Sequence, residues 1–193
     1  MIPHVIEREG KQEKVYDLYS RLLKDRIIFI GTTFTSELAN SVVAQLLFLE
    51  ADDPDKDVIM YINSHGGSAD ALIAIIDTMN YIKSDISTVC FGSASSAAAC
   101  LLAMGTPGKR FALGNSRIML HQVSTAAQGH ISDIEISVRE AQHVNDLMIS
   151  EIARITGKTK NKVKKDLDRD YYMSADEAKK YGLIDEVLVN RNV

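Results

Sequence analysis

Cysteine is scarce in this chain of 193 residues, with Cys90 and Cys100 as its two examples. They form no CxxC pair, and both fall in apolar stretches. This pattern excludes a disulfide framework and favours buried, reduced thiols. The five histidines form no HExxH motif and no ligand pair, so we expect no metal site.

An excess of positive charge is also missing. The chain has 22 Lys and Arg residues against 26 Asp and Glu residues, a net charge of −4. Nucleic-acid binding generally needs a basic face, so we expect no nucleic-acid partner. The one basic run, KTKNKVKK at 158–165, lies beside DLDRD. It is interpreted as a solvated helix face, ahead of a contact with nucleic acid.

Long hydrophobic runs are absent as well. The first residues, MIPHVIEREGKQEK, lack the apolar stretch of a secretory signal, and apolar runs elsewhere are too short to cross a bilayer. The sequence also offers no P-loop for a nucleotide. These absences predict a cytoplasmic protein with no membrane partner.

Strands and helices alternate along most of the chain. Apolar segments predict strands at 26–31, 58–64 and 86–92, each followed by a segment with helical spacing or composition. KRFALG, SRIMLHQ and LIDEVLV predict three further strands. The alternation is typical of one α/β domain with mostly parallel strands.

The two remaining regions differ from this pattern. The first twenty residues are polar without a sustained period and are interpreted as a mobile N-terminal arm. Later, a capping box from Ser132 to Glu135 predicts the start of a long helix that ends at Gly157. A second capping box, Ser174 with Glu177, predicts a short helix before Gly182.

The long helix carries an apolar stripe that is longer than one face of a compact domain needs. Two interpretations stay open: the helix projects and buries its stripe against another subunit, or it lies along its own domain. The stripe consists of Ile134, Val138, Ala141, Val144, Met148, Ile152 and Ile155.

Two glycine-marked turns, NSHGGSAD and GSASSAAA, each follow a predicted strand and precede a helix. Unbonded backbone N–H groups at such turns can stabilise an oxyanion. Serine at a helix start is most often an N-cap, and on this stretch alone capping is favoured over catalysis. Ser93 and Ser95 are interpreted as caps or packing hydroxyls.

His121 ends the strand SRIMLHQ, at the position where parallel sheets present functional side chains. The segment DLDRDYYMS follows later in the chain with three aspartates. Serine, histidine and aspartate in this order would form an acyl-transfer triad. The GSASS segment lacks the GxSxG elbow, so the α/β-hydrolase fold is not indicated. A surface histidine and solvated charges are the alternative interpretation.

Several blocks resemble the proteolytic subunit family of the Clp proteases, in one order over nearly the full length. They are IPHVIE, YDLYSRLLKDRIIFIG, DVIMYINSHGG, IDTMNYIKSDISTVCFG, NSRIMLHQ, ISDIEI and DLDRDYYMSADEAKKYGLIDEVL. The resemblance implies a Clp protease/crotonase-like α/β fold of repeated strand-strand-helix units with a projecting helical handle. It divides the chain into an axial arm (1–20), a head (21–122 and 158–193) and a handle for ring-ring contact (123–157).

The resemblance also implies a serine endopeptidase that cuts unfolded polypeptides inside a closed chamber. The family motifs place the catalytic serine, histidine and aspartate at Ser96, His121 and Asp170, and the oxyanion donors at Gly67 and Ala97. No cofactor is implied, because a partner AAA+ unfoldase of the ClpX, ClpA or ClpC type consumes the ATP.

The implied assembly is two stacked heptameric rings, homogeneous or mixed with a paralogous subunit. Asp168 and Arg169 match the pair that links ring contact to an aligned triad. The implied unfoldase-docking residues are Ile59, Tyr61, Tyr81, Val89 and Leu188.

The sequence departs from the family pattern around the predicted site. Ala97 and Ala98 follow the serine where methionine and glycine are common, while His65 and Val123 replace usual prolines. These departures leave open an atypical paralogue, weakly active alone, that works in mixed rings. A catalytically silent ring subunit and a crotonase-like acyl-CoA enzyme are further alternatives; the latter typically uses paired carboxylates and needs no Ser/His/Asp set.

Overall fold

A mostly parallel sheet organises the chain. The computed structural model describes residues 2–9 and 12–189, and within them this sheet has seven strands. In chain order the elements are β1 (His4–Glu9), β2 (Gln12–Asp17), α1 (Leu18–Lys24), β3 (Ile27–Ile30), α2 (Ser36–Asp52), β4 (Val58–Ser64), α3 (Ala69–Tyr81), β5 (Ile86–Ser95), α4 (Ala97–Ala103), β6 (Arg110–Leu113), β7 (Arg117–Leu120), α5 (Ile131–Thr156), α6 (Lys160–Asp166), β8 (Tyr171–Ser174), α7 (Ala175–Tyr181) and β9 (Glu186–Leu188).

The sheet changes partners along its longest strand. The order is β3-β4-β5-β6-β9, all parallel, and β5 also pairs with β7. The first half of β5 pairs with β6 through 88–90, and its second half pairs with β7 through 93–95. Gly92, with a φ of 73°, lies between the two halves. The change of partner brings the end of β5 beside β7, which in turn pairs antiparallel with β8.

The core lies between this sheet and the helices on it. In β4, Val58, Met60 and Ile62 alternate with less buried residues and are fully covered. All seven residues of α4 are buried, and five of them are alanine or cysteine. Because small side chains let a helix axis approach closely, α4 packs directly beneath the end of β5. The predicted α/β class is confirmed.

The N-terminal segment has more structure than its composition predicted. Its described residues form an antiparallel hairpin in which His4 pairs with Asp17 and Ile6 with Val15. Both Ile6 and Val15 are exposed. The predicted boundary at residue 20 falls inside α1. A polar, two-stranded ribbon with little burial gives almost no periodic signal, which is why the pattern missed it.

Three of the four predicted helix-end signals on α5 and α7 are confirmed. Gly157 and Gly182 adopt the left-handed conformation after α5 and α7, and Ser174 with Glu177 forms a complete capping box at α7. The predicted capping box at Ser132 is wrong. The N-cap is His130, two residues before Ser132, and it makes no side-chain cap hydrogen bond. The Ser132 hydroxyl therefore lies within the first turn of the helix.

The two halves of α5 lie in different surroundings. Val144, Met148 and Ile152 in the second half are buried against the domain. In the first half, Ile131 is 78% exposed and Ile136 is 59% exposed. The second half of the helix therefore lies along its own domain. In the first half the stripe residue Val138 is also exposed, and burial of this half against another subunit stays a prediction.

Four expectations about groups elsewhere can be compared with the described residues. The basic run forms the exposed helix α6, with Val163 as its one buried residue, as predicted. Cys90 and Cys100 are free and buried, also as predicted. Among the described residues, no helix is long and apolar enough to span a bilayer. That part of the chain also contains no group of three or more His, Cys, Asp or Glu side chains placed to hold a metal ion.

Candidate active site

Ser96 lies at the junction between β5 and α4 in an unusual backbone conformation. Its φ is 55° and its ψ is −123°, a region that side-chain-bearing residues rarely adopt. It holds the N-cap position of α4 but its hydroxyl makes no capping hydrogen bond. Ser93 and Ser95 lie within β5, so their interpretation as caps is wrong, although the buried Ser95 fits that of a packing hydroxyl.

The surrounding backbone holds Ser96 in this conformation. Its N–H donates to the carbonyl of Met119 at 2.8 Å, and its carbonyl accepts from Cys100 N–H at 3.1 Å. Gly66 lies so close that a Cβ there would come within 2.9 Å of the Ser96 Cβ and 2.6 Å of the Ser95 carbonyl oxygen. The absence of a side chain at Gly66 is therefore needed for the turn.

His121 reaches the hydroxyl of Ser96. Its Nε2 lies 2.8 Å from Ser96 Oγ, a hydrogen bond of normal length. Its Nδ1 lies 3.4 Å from Asp170 Oδ1, which is longer than a normal hydrogen bond. The structure thus brings the three predicted residues together, and the contact of the histidine with the carboxylate is longer than its contact with the serine.

The antiparallel pairing of β7 with β8 explains why His121 meets Asp170. Leu120, the last residue of β7, pairs with Tyr171, the first residue of β8. His121 follows Leu120, and Asp170 precedes Tyr171. Because the two strands are antiparallel, both residues lie just beyond the same end of the ladder, next to each other. The Asp170 side chain is 56% exposed, whereas that of His121 is 29% exposed.

Gly67 and Ala97 line the same cavity as Ser96 and His121. A bridge to Phe34 uses the carbonyl of Gly66 and the N–H of Ser68, and it leaves the N–H of Gly67 without a partner in the described chain. Ala97 is the first residue of α4, and its N–H likewise has no hydrogen-bond partner among these residues. Two unbonded donors beside a hydroxyl are the arrangement that stabilises an oxyanion.

The cavity next to Ser96 has a volume of about 170 Å³ and a mixed lining. Its larger apolar residues are Leu72, Cys100, Met148 and Leu167, and its polar residues besides Ser96 and His121 are Ser68, Gln122, Ser124 and Asn145. Burial raises the pKa of Cys100 to about 12, so its thiol stays protonated at neutral pH. Cys100 therefore lines the cavity as an apolar group and does not compete with Ser96 as a nucleophile.

Asp168 and Arg169 lie on the exposed loop that leads to Asp170. Gln122 Nε2 donates to the carbonyl of Asp168 at 2.9 Å, which ties this loop to the residue after His121. The side chains of Asp168 and Arg169 have no ion-pair partner among the described residues.

The predicted docking residues are divided between surface and core. Tyr81 is 82% exposed, and Ile59 and Tyr61 are half-buried on β4. Leu188 lines a cavity of about 420 Å³. Val89 is 5% exposed and offers a partner almost no surface, because it lies on a central strand between β4 and β6.

Sequence reasoning missed three residues around this site. Gly66 shapes the turn, Met119 accepts the N–H of Ser96, and Asn145 accepts the N–H of Val123 at 3.0 Å. The double glycine was a visible signal for the first. No pattern in the sequence points to the other two. Met119 acts through its backbone carbonyl, which every residue has, and Asn145 is one of many polar residues on a long helix.

Two comparisons with known proteins cover almost the whole chain. A family model described as Clp protease matches residues 10–191. A curated protein of Frankia casuarinae, the ATP-dependent Clp protease proteolytic subunit 3, is 53% identical over 191 residues. The aligned part is 99% of this chain and 90% of that protein. Both matches include the sheet and the residues around Ser96.

Proposed function

The chain belongs to the Clp protease family, and we propose that it hydrolyses peptide bonds with Ser96 as the nucleophile. The family makes it a serine-type peptidase subunit, and the residues that perform the reaction are the proposal. The contact of 2.8 Å between His121 Nε2 and Ser96 Oγ is the observation that supports it most directly.

Each residue has a separate task in the proposed reaction. His121 Nε2 takes the proton of Ser96 as Oγ attacks the peptide carbonyl, and then gives it to the leaving amine. Asp170 orients the imidazole and stabilises its cationic form. The N–H groups of Gly67 and Ala97 stabilise the oxyanion of the tetrahedral intermediate, and water then releases the acyl-enzyme.

The alternatives raised by the sequence fare differently. The family assignment is at odds with a crotonase-like acyl-CoA enzyme. A silent subunit would need a misaligned triad, and the formed Ser96–His121 contact argues against that. An atypical subunit that works in mixed rings is compatible with the structure, but the similarity to a named proteolytic subunit does not favour it.

We propose that subunits assemble as two stacked heptameric rings through the first half of α5. Ile131, Ile136 and Val138 are exposed there and provide apolar surface for a second subunit. Asp168 and Arg169 lie beside Asp170 and are proposed to join this ring contact. The chamber would act in the cytoplasm on polypeptides that arrive unfolded.

A partner unfoldase is proposed to supply those polypeptides and to consume the ATP. The relative from Frankia is named ATP-dependent, whereas the proposed reaction at Ser96 needs no nucleotide. We place the contact with an AAA+ unfoldase of the ClpX, ClpA or ClpC type at Ile59, Tyr61, Tyr81 and Leu188. We propose that the chain itself holds no cofactor.

A covalent serine probe tests the proposed nucleophile. A fluorophosphonate should label Ser96, and Ser96→Ala should abolish both labelling and cleavage of a fluorogenic peptide. Ser95→Ala is the matched control and should keep both. Native mass spectrometry should give the same assembly for all three proteins. A label on Ser93 or Ser95 would contradict the assignment.

A further inference from the structure

The chain between β7 and α5 depends on very few hydrogen bonds. After Leu120 ends β7, no regular element follows until α5 begins at Ile131. His121 stands at the start of this segment, so the strand ladder supports it from one side only. The position of its imidazole therefore depends on how the next residues are held.

Gln122 is fixed to the loop that carries the carboxylate of the site. Its N–H donates to the carbonyl of Leu167 at 2.7 Å, and its side-chain Nε2 donates to the carbonyl of Asp168 at 2.9 Å. These two bonds tie the segment to one neighbour, and they leave its other side free to move.

Asn145 holds that other side. The N–H of Val123 donates to Asn145 Oδ1 at 3.0 Å in a partly buried position. Asn145 follows the buried Val144 and precedes the buried Met148 on the half of α5 that packs on the domain. The acceptor thus lies on a fixed part of the helix, and the donor, Val123, is two residues along the chain from His121.

Val123 can donate this bond because it is not proline. The resemblance to the family leads one to expect proline after HQ, and proline has no N–H. The contact between Val123 and Asn145 therefore compensates for the greater freedom that the loss of a proline gives the segment.

We propose that Asn145 is a positioning residue for peptide hydrolysis, which acts through Val123 to hold His121 in line with Ser96. This inference rests on the proposed function, because it assumes that His121 is the base. Without the acceptor, the segment keeps its anchor at Gln122 but can rotate away from α5. A misplacement of about 1 Å at a reacting group can cost about 10²-fold in rate.

Steady-state kinetics on a short fluorogenic peptide test this role. Asn145→Leu, which removes the acceptor at similar volume, should lower kcat by about 10- to 100-fold with little change in KM. Asn145→Asp keeps an acceptor for the Val123 N–H and should restore kcat. Gln142→Leu, an exposed amide on the same helix, is the control and should behave as wild type.

Val123→Pro removes the same bond from the donor side but restores a ring that stiffens the segment, so it should lower kcat less than Asn145→Leu does. The double variant Asn145→Leu/Val123→Pro should be no slower than the slower single variant, because both changes remove one interaction. If Asn145→Leu proves unstable in a thermal melt, Asn145→Ala removes the same acceptor with a smaller side chain and takes its place in the test.

The outcomes separate this inference from the proposed function. An unchanged kcat in a folded, assembled Asn145→Leu protein would overturn it, and so would a rise in KM alone or a failure of Asn145→Asp to restore kcat. Peptide cleavage that persists in Ser96→Ala would instead overturn the proposed function.

Discussion

The backbone N–H of Ser96 donates to the carbonyl of Met119 at 2.8 Å, two residues before His121. Ser95 also pairs with Met119 in the parallel ladder between β5 and β7. The hydroxyl and the imidazole are therefore carried by adjacent strands of one sheet. Their separation is set mainly by strand pairing, which is more rigid than loop conformation.

Gly66→Ala is expected to abolish most activity and to lower stability. The new Cβ would lie 2.6 Å from the Ser95 carbonyl oxygen and 2.9 Å from Ala97 N, in a residue with a φ of 89°. The strain of a side chain at positive φ alone is about 1–2 kcal/mol. Relief of this contact must shift the turn at Ser96. The folded variant should therefore have a lower kcat even at temperatures well below its melting temperature.

Gly31→Ala is the matched control for that change. Gly31 follows β3, its φ is not positive, and a Cβ there would meet nothing within 4 Å. Peptide cleavage and thermal melting should be unchanged in this variant. Full activity in folded Gly66→Ala would show that the close approach to Ser96 is not needed.

Asp185→Asn is expected to destabilise the fold at neutral pH. Burial pushes the pKa of Asp185 upward, but hydrogen bonds from the side chain and backbone of Arg110 outweigh it and hold this pKa below its ordinary value. Arg110 is itself buried, with its Nη2 2.5 Å from Asp185 Oδ1. Asp185 itself is partly buried, so loss of its charge should cost about 1–3 kcal/mol, which urea unfolding would measure.

The same variant predicts a pH dependence. A carboxylate with a lowered folded-state pKa stabilises the protein above its unfolded-state pKa of about 3.9, and this contribution is lost as the pH falls through the folded-state pKa. The gap in stability between wild type and Asp185→Asn should therefore narrow below about pH 4. Asp55→Asn, in an exposed pair with Lys83 at 3.6 Å, is the control and should show almost no gap.

Ile136→Glu is expected to block the stacking of rings without unfolding the subunit. Ile136 is 59% exposed on the half of α5 that leaves the domain, so a charge there costs the isolated subunit little. In a buried ring-ring contact the same charge would be desolvated without a partner. Native mass spectrometry should show half-size assemblies, whereas Val15→Glu on the exposed hairpin should keep the full assembly.

Both thiols should resist alkylation while the protein is folded. Burial raises the pKa of Cys90 to about 11 and that of Cys100 to about 12, so almost no thiolate is present at neutral pH. Iodoacetamide should add to neither residue before unfolding and to both in denaturant, as read by mass spectrometry. Rapid modification of folded Cys100 would mean that the cavity beside Ser96 opens widely.

The elements that could be predicted from the sequence are those with one strong period. The segment 58–64 became β4 with the predicted bounds, and the helical segment predicted after the first strand became α2, because buried positions recur regularly in both. The site residues came from motif resemblance, since spacing along the chain does not say which strand will lie beside which.

Features that depend on pairing between distant segments could not be predicted. β5 runs through Ser95, three residues beyond its predicted end, because β7 offers it a second partner after Gly92. Asn145 faces Val123 only because the second half of α5 packs on the domain. Local sequence contains neither fact.

Ser96 and His121 directly follow β5 and β7, whereas Asp170 directly precedes β8, which has β7 as its sole partner in the described sheet. Outer strands open more readily than inner ones, so local fraying would carry Asp170 away before it disturbed Ser96 and His121. Such fraying would leave a serine–histidine dyad. Activity would then decrease gradually as the population with a frayed β8 increases, and it would not be lost all at once.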